Sequence, residues 1–170
     1  MRWVRWYALP VRKLGECFNE RSVKSEHGEL ISVTINSGVV KASELDRRDT
    51  SSSNKTNYKV VKVGDIAYNS MRMWQGASGY SPYDGILSPA YTVITPTKDI
   101  SSKFFAHYFK RNDIIWLFRI HSQGLTSDTW NLKYPALSNI VVSVPKVTEQ
   151  LKIASYFEKL DELITLHQCR

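Results

Sequence analysis

The sequence predicts an α+β fold, richer in strand than in helix, that ends in an amphipathic α-helix. Three observations carry the prediction. Short runs of alternating β-branched and polar residues recur up to Pro96. Aromatic and aliphatic side chains at three- and four-residue spacing follow from Asp99, and beyond Thr148 the spacing settles into a heptad. At 170 residues with 42% apolar composition the chain is about one domain long and can bury a core without staples. We divide it at residue 147, into a domain over 1–147 and a helix over 148–170.

Residues 28–42 alternate Leu30, Ile31, Val33 and Ile35 with polar neighbours on one side of Asn36-Ser37-Gly38 and resume with Val39 and Val40, which predicts a hairpin. Residues 46–57 are almost wholly polar and predict a surface loop. Tyr58, Val60, Val61 and Val63 then lead through the turn dipeptide Gly64-Asp65 into an extended Ile66-Ala67-Tyr68. A long strand is expected from Ile86 to Ile94, closed by Pro96. Asp99 or Ser101 caps a helix whose Phe104, Phe105, Tyr108 and Phe109 form a core stripe, and Ile114 to Ile120 form a second short helix. Residues 121–139 are polar and punctuated by glycine and proline, and Leu137 to Val144 read as a strand stopped by Pro145.

From Thr148, a good N-cap, Ile153, Tyr156, Leu160, Leu163 and His167 recur at spacings of three and four, with Phe157 and Ile164 widening the stripe. Two readings fit that seam: a helix folded back on its own domain, or one that pairs with a second helix. The stripe still runs where the chain stops at Arg170, which favours pairing.

Charge is unevenly placed. The formal net charge is +7, made of +8 on residues 1–147 and −1 on the terminal helix. A solvated surface and a polyanionic partner both account for such an excess. Two cysteines, Cys17 and Cys169, are too few for a disulfide framework, no apolar run is long enough to span a membrane, and the charged start of the chain is no signal peptide; a cytoplasmic protein is expected. The four histidines are isolated, and neither phosphate-binding nor nucleophile-elbow motifs occur, so no catalytic residue, metal or cofactor is assigned and a binding role is favoured over an enzyme. A nuclease or methyltransferase with dispersed catalytic groups and a pure protein-interaction module remain the alternatives.

Two segments suit a recognition surface. Between Asp65 and Asp84 the only charge is Arg72, among Tyr68, Asn69, Trp74 and Gln75; arginine, amide and apolar side chains of this kind read base edges in double-stranded DNA. Ser122, Gln123 and Thr126 make a second loop rich in hydrogen-bonding groups. Lys55, Lys59, Lys62 and Lys133 are the expected phosphate contacts.

Leu14-Gly15-Glu16, Val63-Gly64-Asp65-Ile66, Gly85 through Val93, the Gly124 loop and Pro145-Lys-Val-Thr-Glu149-Gln150-Leu-Lys-Ile153 together, in that order, resemble the specificity subunit of type I restriction-modification systems. The resemblance implies a target recognition domain reading one half of a split DNA sequence, followed by a coiled-coil spacer helix. It implies as partners a methyltransferase subunit and, through it, a restriction subunit, which carry the chemistry. Members of that family usually have two recognition domains and two long helices. This chain shows one of each, which implies a half-size subunit that forms a homodimer through Ile153, Tyr156, Leu160 and Leu163, or a truncated product.

Overall fold

The computed structural model describes residues 9–45 and 54–168. Most of the polar 46–57 loop, the charged start of the chain, Cys169 and Arg170 lie outside them. In chain order the elements are β1 (Val11–Lys13), a single turn α1 (Leu14–Cys17), β2 (Phe18–Glu20), β3 (Ile31–Thr34), β4 (Gly38–Lys41), β5 (Lys59–Val61), β6 (Ile66–Asn69), β7 (Ser78–Tyr80), β8 (Gly85–Leu87), β9 (Tyr91–Pro96), α2 (Ser102–Tyr108), α3 (Asn112–His121), α4 (Tyr134–Ser138), β10 (Val141–Ser143) and α5 (Val147–Gln168). The mixed, strand-rich class and the terminal helix are those the sequence predicts.

A four-stranded antiparallel sheet in the order β2-β9-β6-β7 divides the molecule. Because side chains alternate along a strand, its two faces feed two cores. Ile66, Tyr68 and Ile94 join Phe18, Phe105, Phe109, Phe118 and Leu137 under the helices. Ala67 and Val93 join Ile31, Val33, Val39, Val61 and Leu87 under the β3–β4 hairpin and the β5–β8 pair. The predicted hairpin forms with Val33 opposite Val39. It lies so close to β7 that a Cβ on Gly79 would sit 2.9 Å from the Val39 nitrogen, which is why glycine stands there.

Two expectations are corrected. The strand over 86–94 is two strands, because Ser88-Pro89-Ala90 turns back with the Tyr91 N–H donating to the Ser88 carbonyl at 3.0 Å; β8 then pairs with β5 and β9 with β6. The turn expected at Gly64-Asp65 forms, the Asp65 N–H donating to the Lys62 carbonyl at 3.0 Å, and β5 and β6 on either side of it belong to different sheets. Residues 137–138 end α4, started by Pro135 in its first turn, so only Val141–Ser143 of the predicted last strand is extended.

Ser101 caps α2, its hydroxyl accepting from the Phe104 N–H. The first three turns of α5 belong to the domain. Gln150 is 1% exposed; its carbonyl oxygen accepts from the Ser101 N–H at 2.9 Å, and its amide nitrogen donates to the Pro145 and Asp99 carbonyls at 2.9 and 3.3 Å. Ala154 is buried, Phe157 stacks on His107 at 4.9 Å, and Glu158 pairs with Lys103 at 2.6 Å.

A second polar cluster fixes the sheet. Asp65, 2% exposed, takes a two-pronged bond from Arg21 at 2.7 and 3.0 Å, the Lys62 N–H at 2.9 Å and the Thr95 hydroxyl at 3.0 Å. The Arg21 pKa is raised above the ordinary arginine value, chiefly by its hydrogen bond to Asp65. Asp65→Ala strands Arg21 and the two other donors, and should cost about 3–5 kcal/mol of stability. Chemical denaturation of the wild-type and variant chains measures the loss, and a difference below ~1 kcal/mol would contradict the assignment.

Candidate nucleic-acid interface

β6 delivers Asn69 to one end of the central sheet, opposite Tyr91. The chain then makes a compact turn. The Asn69 side chain accepts from the Met71 N–H at 3.0 Å, the Arg72 N–H donates to the Asn69 carbonyl, and Met73–Gln75 form one turn of 3-10 helix. Met73 is fully buried and anchors the turn, while Arg72 remains exposed and Trp74 and Gln75 half-buried. Arg72 and Gln75 face one another, guanidinium to amide oxygen at 3.4 Å.

The second predicted loop lies against this turn. The Leu132 N–H donates to the Ser70 carbonyl at 2.8 Å. Gln123 and Asn131 exchange backbone hydrogen bonds at 3.0 and 2.8 Å, closing residues 123–131 into a loop stiffened by the Thr129 hydroxyl, which receives the Thr126 N–H. At Gly124, φ is +145° and a Cβ would meet the Thr129 carbonyl at 2.6 Å, so only glycine closes the loop.

The brace between the two is aromatic. Trp74 meets Trp130 edge to face at 5.2 Å between centroids, and the Arg119 guanidinium lies 5.2 Å over the Trp130 ring. Arg72, Gln75, Ser122, Gln123, Thr126 and Lys133 therefore share one end of the molecule. Among the described residues, none of Arg72, Arg119 and Lys133 has a carboxylate within salt-bridge distance; the six described salt bridges use other cations.

Four predicted contacts are placed differently. Tyr68 has no exposed surface and is a core residue, because its position in β6 faces the helices; burial pushes its phenol well above the usual tyrosine pKa. The Trp74 indole N–H is spent on the Met71 carbonyl at 3.0 Å, so this ring is part of the brace. Lys59 sits on β5, 3.8 Å from Glu20, which pairs with Ile94 at the Ile66 end of the sheet, away from Asn69. Lys55 stands one turn before it, its carbonyl accepting from the Tyr58 N–H.

The sequence reading missed Arg119 and Trp130. The available clue was periodicity: Trp116, Arg119 and Ile120 fall on the side of α3 opposite buried Ile114 and Phe118, and Trp116 is 58% exposed. Among the described residues no three His, Cys, Asp or Glu side chains are grouped to hold a metal ion, and no helix is long and apolar enough to cross a membrane.

Residues 11–170 match the family model of the type I restriction modification DNA specificity domain. No curated protein sequence matches the chain. Among solved structures, the HsdS subunit from Thermoanaerobacter tengcongensis is similar with a TM-score of 0.56 and 16% identity, over 95% of this chain and 39% of that one. A chain from a structure described as the basis of complex assembly and conformational transition of the type I R-M system is similar with a TM-score of 0.58 and 12% identity, over 94% and 40%. At these identities the likeness is one of fold, and this chain spans about two fifths of the length of each neighbour.

Removing the central ring tests the brace. Trp130→Ala leaves Trp74 without its edge contact and Arg119 without its ring, together worth about 1–2.5 kcal/mol locally. Amide hydrogen exchange of residues 70–76 and 122–131 should accelerate while β6 and β9 stay protected; unchanged exchange in both loops would show that the rings do not hold them.

Proposed function

We propose that this chain, which belongs to the type I restriction modification DNA specificity domain family, is the sequence-reading component of a specificity subunit, binding one half of a split target in double-stranded DNA. One observation carries the reading: two loops far apart in sequence converge, through Trp74, Trp130 and Arg119, into a single face with base-reading side chains and unpaired cations. Arginine and glutamine suit the acceptor and donor edges of guanine and adenine in the major groove, and Gln123 and Thr126 supply further hydrogen-bonding groups. Lys133 and Arg119 supply positive charge for phosphates. Lys55 and Lys59 lie at the other end of the sheet and would reach only flanking phosphates. In this reading the domain is non-catalytic and works in the cytoplasm, with methylation and cleavage left to methyltransferase and restriction subunits.

Residues 1–147 carry the recognition, and the helix over 148–170 the assembly. The seam leaves the domain from Tyr156 onward: Tyr156 is 64% exposed, and Leu163 and Ile164 are more than half exposed. Ile153 packs on the core, so Tyr156, Leu160 and Leu163 are the positions left to pair, and a second copy of the chain is the proposed occupant.

Selection of bound DNA from a random pool, with and without a methyltransferase subunit, tests the reading directly. With about five phosphates neutralised, binding should weaken several-hundredfold between 50 and 200 mM salt. Arg72→Ala should relax choice at one base pair at a cost of ~1–3 kcal/mol, whereas Lys133→Ala should weaken all sequences alike and reduce the salt slope by about 1. Salt-insensitive binding, or the same behaviour from both variants, contradicts the proposal. Product formation by the purified chain with DNA, magnesium and S-adenosylmethionine would favour the enzyme alternative.

For the helix, sedimentation should show a dimer that Leu160→Asp with Leu163→Asp converts to a monomer. A wild-type chain that stays monomeric at high concentration removes the homodimer from the proposal.

A further inference from the structure

We propose that the tip of the β3–β4 hairpin, Ile35-Asn36-Ser37, is a third DNA-reading element of this face, held against the 70–76 turn by the Lys110 ammonium. The inference rests on the reading above and extends it to a segment whose alternating pattern marks it as scaffold. Lys110 follows α2, and its ammonium donates to the Ile35 carbonyl at 2.8 Å and to the Gly76 carbonyl. Two carbonyls bound to one nitrogen lie within about 5–6 Å of each other. The hairpin tip is therefore a direct neighbour of the turn that carries Arg72 and Gln75.

The tip is rigid. The Thr34 hydroxyl accepts from the Ser37 N–H at 3.0 Å, and the strand after it runs against β7 at the Gly38–Gly79 approach. Ile35, Asn36 and Ser37 are nevertheless all exposed. An exposed asparagine amide presents an N–H donor beside an oxygen acceptor, the pairing that reads adenine from the major groove. Beneath it, Lys110 has no carboxylate partner among the described residues, so its charge adds to the positive field under the face. The Lys110 clamp ties the tip to the 70–76 turn, a link that covering Val93 and Ala67 does not require.

The test uses the full chain and selection from a random DNA pool. Asn36→Ala, a surface change, should lose about tenfold discrimination at one base pair outside those affected by Arg72→Ala and Gln75→Ala, with the salt slope unchanged. Lys110→Met should lose discrimination at that pair and at the Arg72 and Gln75 pairs together, because it releases both elements. Should Lys110→Met fail to fold, Asn36→Ala decides alone. Wild-type discrimination by Asn36→Ala overturns the inference while leaving the two-loop reading intact. A wild-type chain that selects no sequence overturns the two-loop reading and, with it, the inference.

Discussion

The fork between Arg21 and Asp65 is the constraint on which the rest of this structure depends. β5 and β6 are consecutive but belong to different sheets, so the chain between them must change direction and still start β6 in the right register. Asp65 does this by binding three segments at once: Arg21 just past β2, the Lys62 backbone just past β5, and Thr95 in β9. Its own backbone adds a fourth, the Ser81 N–H donating to the Asp65 carbonyl at 2.8 Å. Taking a carboxylate and a guanidinium out of water is costly, and the cost is offset only where geometry is good and the remaining lone pairs are used. Four hydrogen bonds to two oxygens meet that condition.

The register set at Asp65 has its consequence four residues later, at Asn69. A strand places alternate side chains on opposite faces, so with Ile66 and Tyr68 committed to the helical core, Ala67 faces the hairpin and Asn69 arrives at the sheet end with its side chain free to fold the next turn. Met73 plugs that turn into the core, and the Ser70 hydroxyl bonds the Thr92 hydroxyl at 2.8 Å beneath it. Arg72 and Gln75 thus project from a backbone anchored at both ends. Recognition by hydrogen bonds needs this, since a loosely held reader loses in entropy what it gains in contacts.

The features legible in the sequence are those set by neighbours along the chain. The hairpin at 31–41, the Ser101 cap and the terminal helix follow from alternation, a hydroxyl three residues before an amide, and heptad spacing. Pro89 broke one expected strand and Pro135 began an unexpected helix, both local cues outweighed by a run of apolar residues. Tyr68 illustrates a different limit: its strand shows the right alternation, but alternation does not say which face is covered, and here both are. The Trp74–Trp130 contact joins residues 56 positions apart, and nothing in either segment announces the other. The Gln150 motif was visible as a resemblance, and its physical content appears only when its amide meets three backbone groups of the domain.

Net charge shows the same division between composition and place. A positive excess over residues 1–147 reveals little by itself, because several of the cations are paired with carboxylates of the scaffold. Arg12 pairs with Glu16, Arg21 with Asp65, Lys59 with Glu20, Lys62 with Asp84 and Arg111 with Asp113. At the converging loops, Arg72, Arg119 and Lys133 have no carboxylate within salt-bridge distance among the described residues, and Asp128 is the acidic residue of the second loop. Exposed ion pairs contribute little to stability, but each removes a cation from the field that an approaching polyanion meets. Lys13, Lys24, Lys41, Lys98 and Lys146 also have no carboxylate within salt-bridge distance among the described residues, so the excess is spread beyond the loops; Lys110 adds a half-buried charge beneath them, its pKa held below the ordinary lysine value by burial. In the proposed reading, the cations beside Arg72 and Gln75 meet the phosphates that flank the groove those side chains enter.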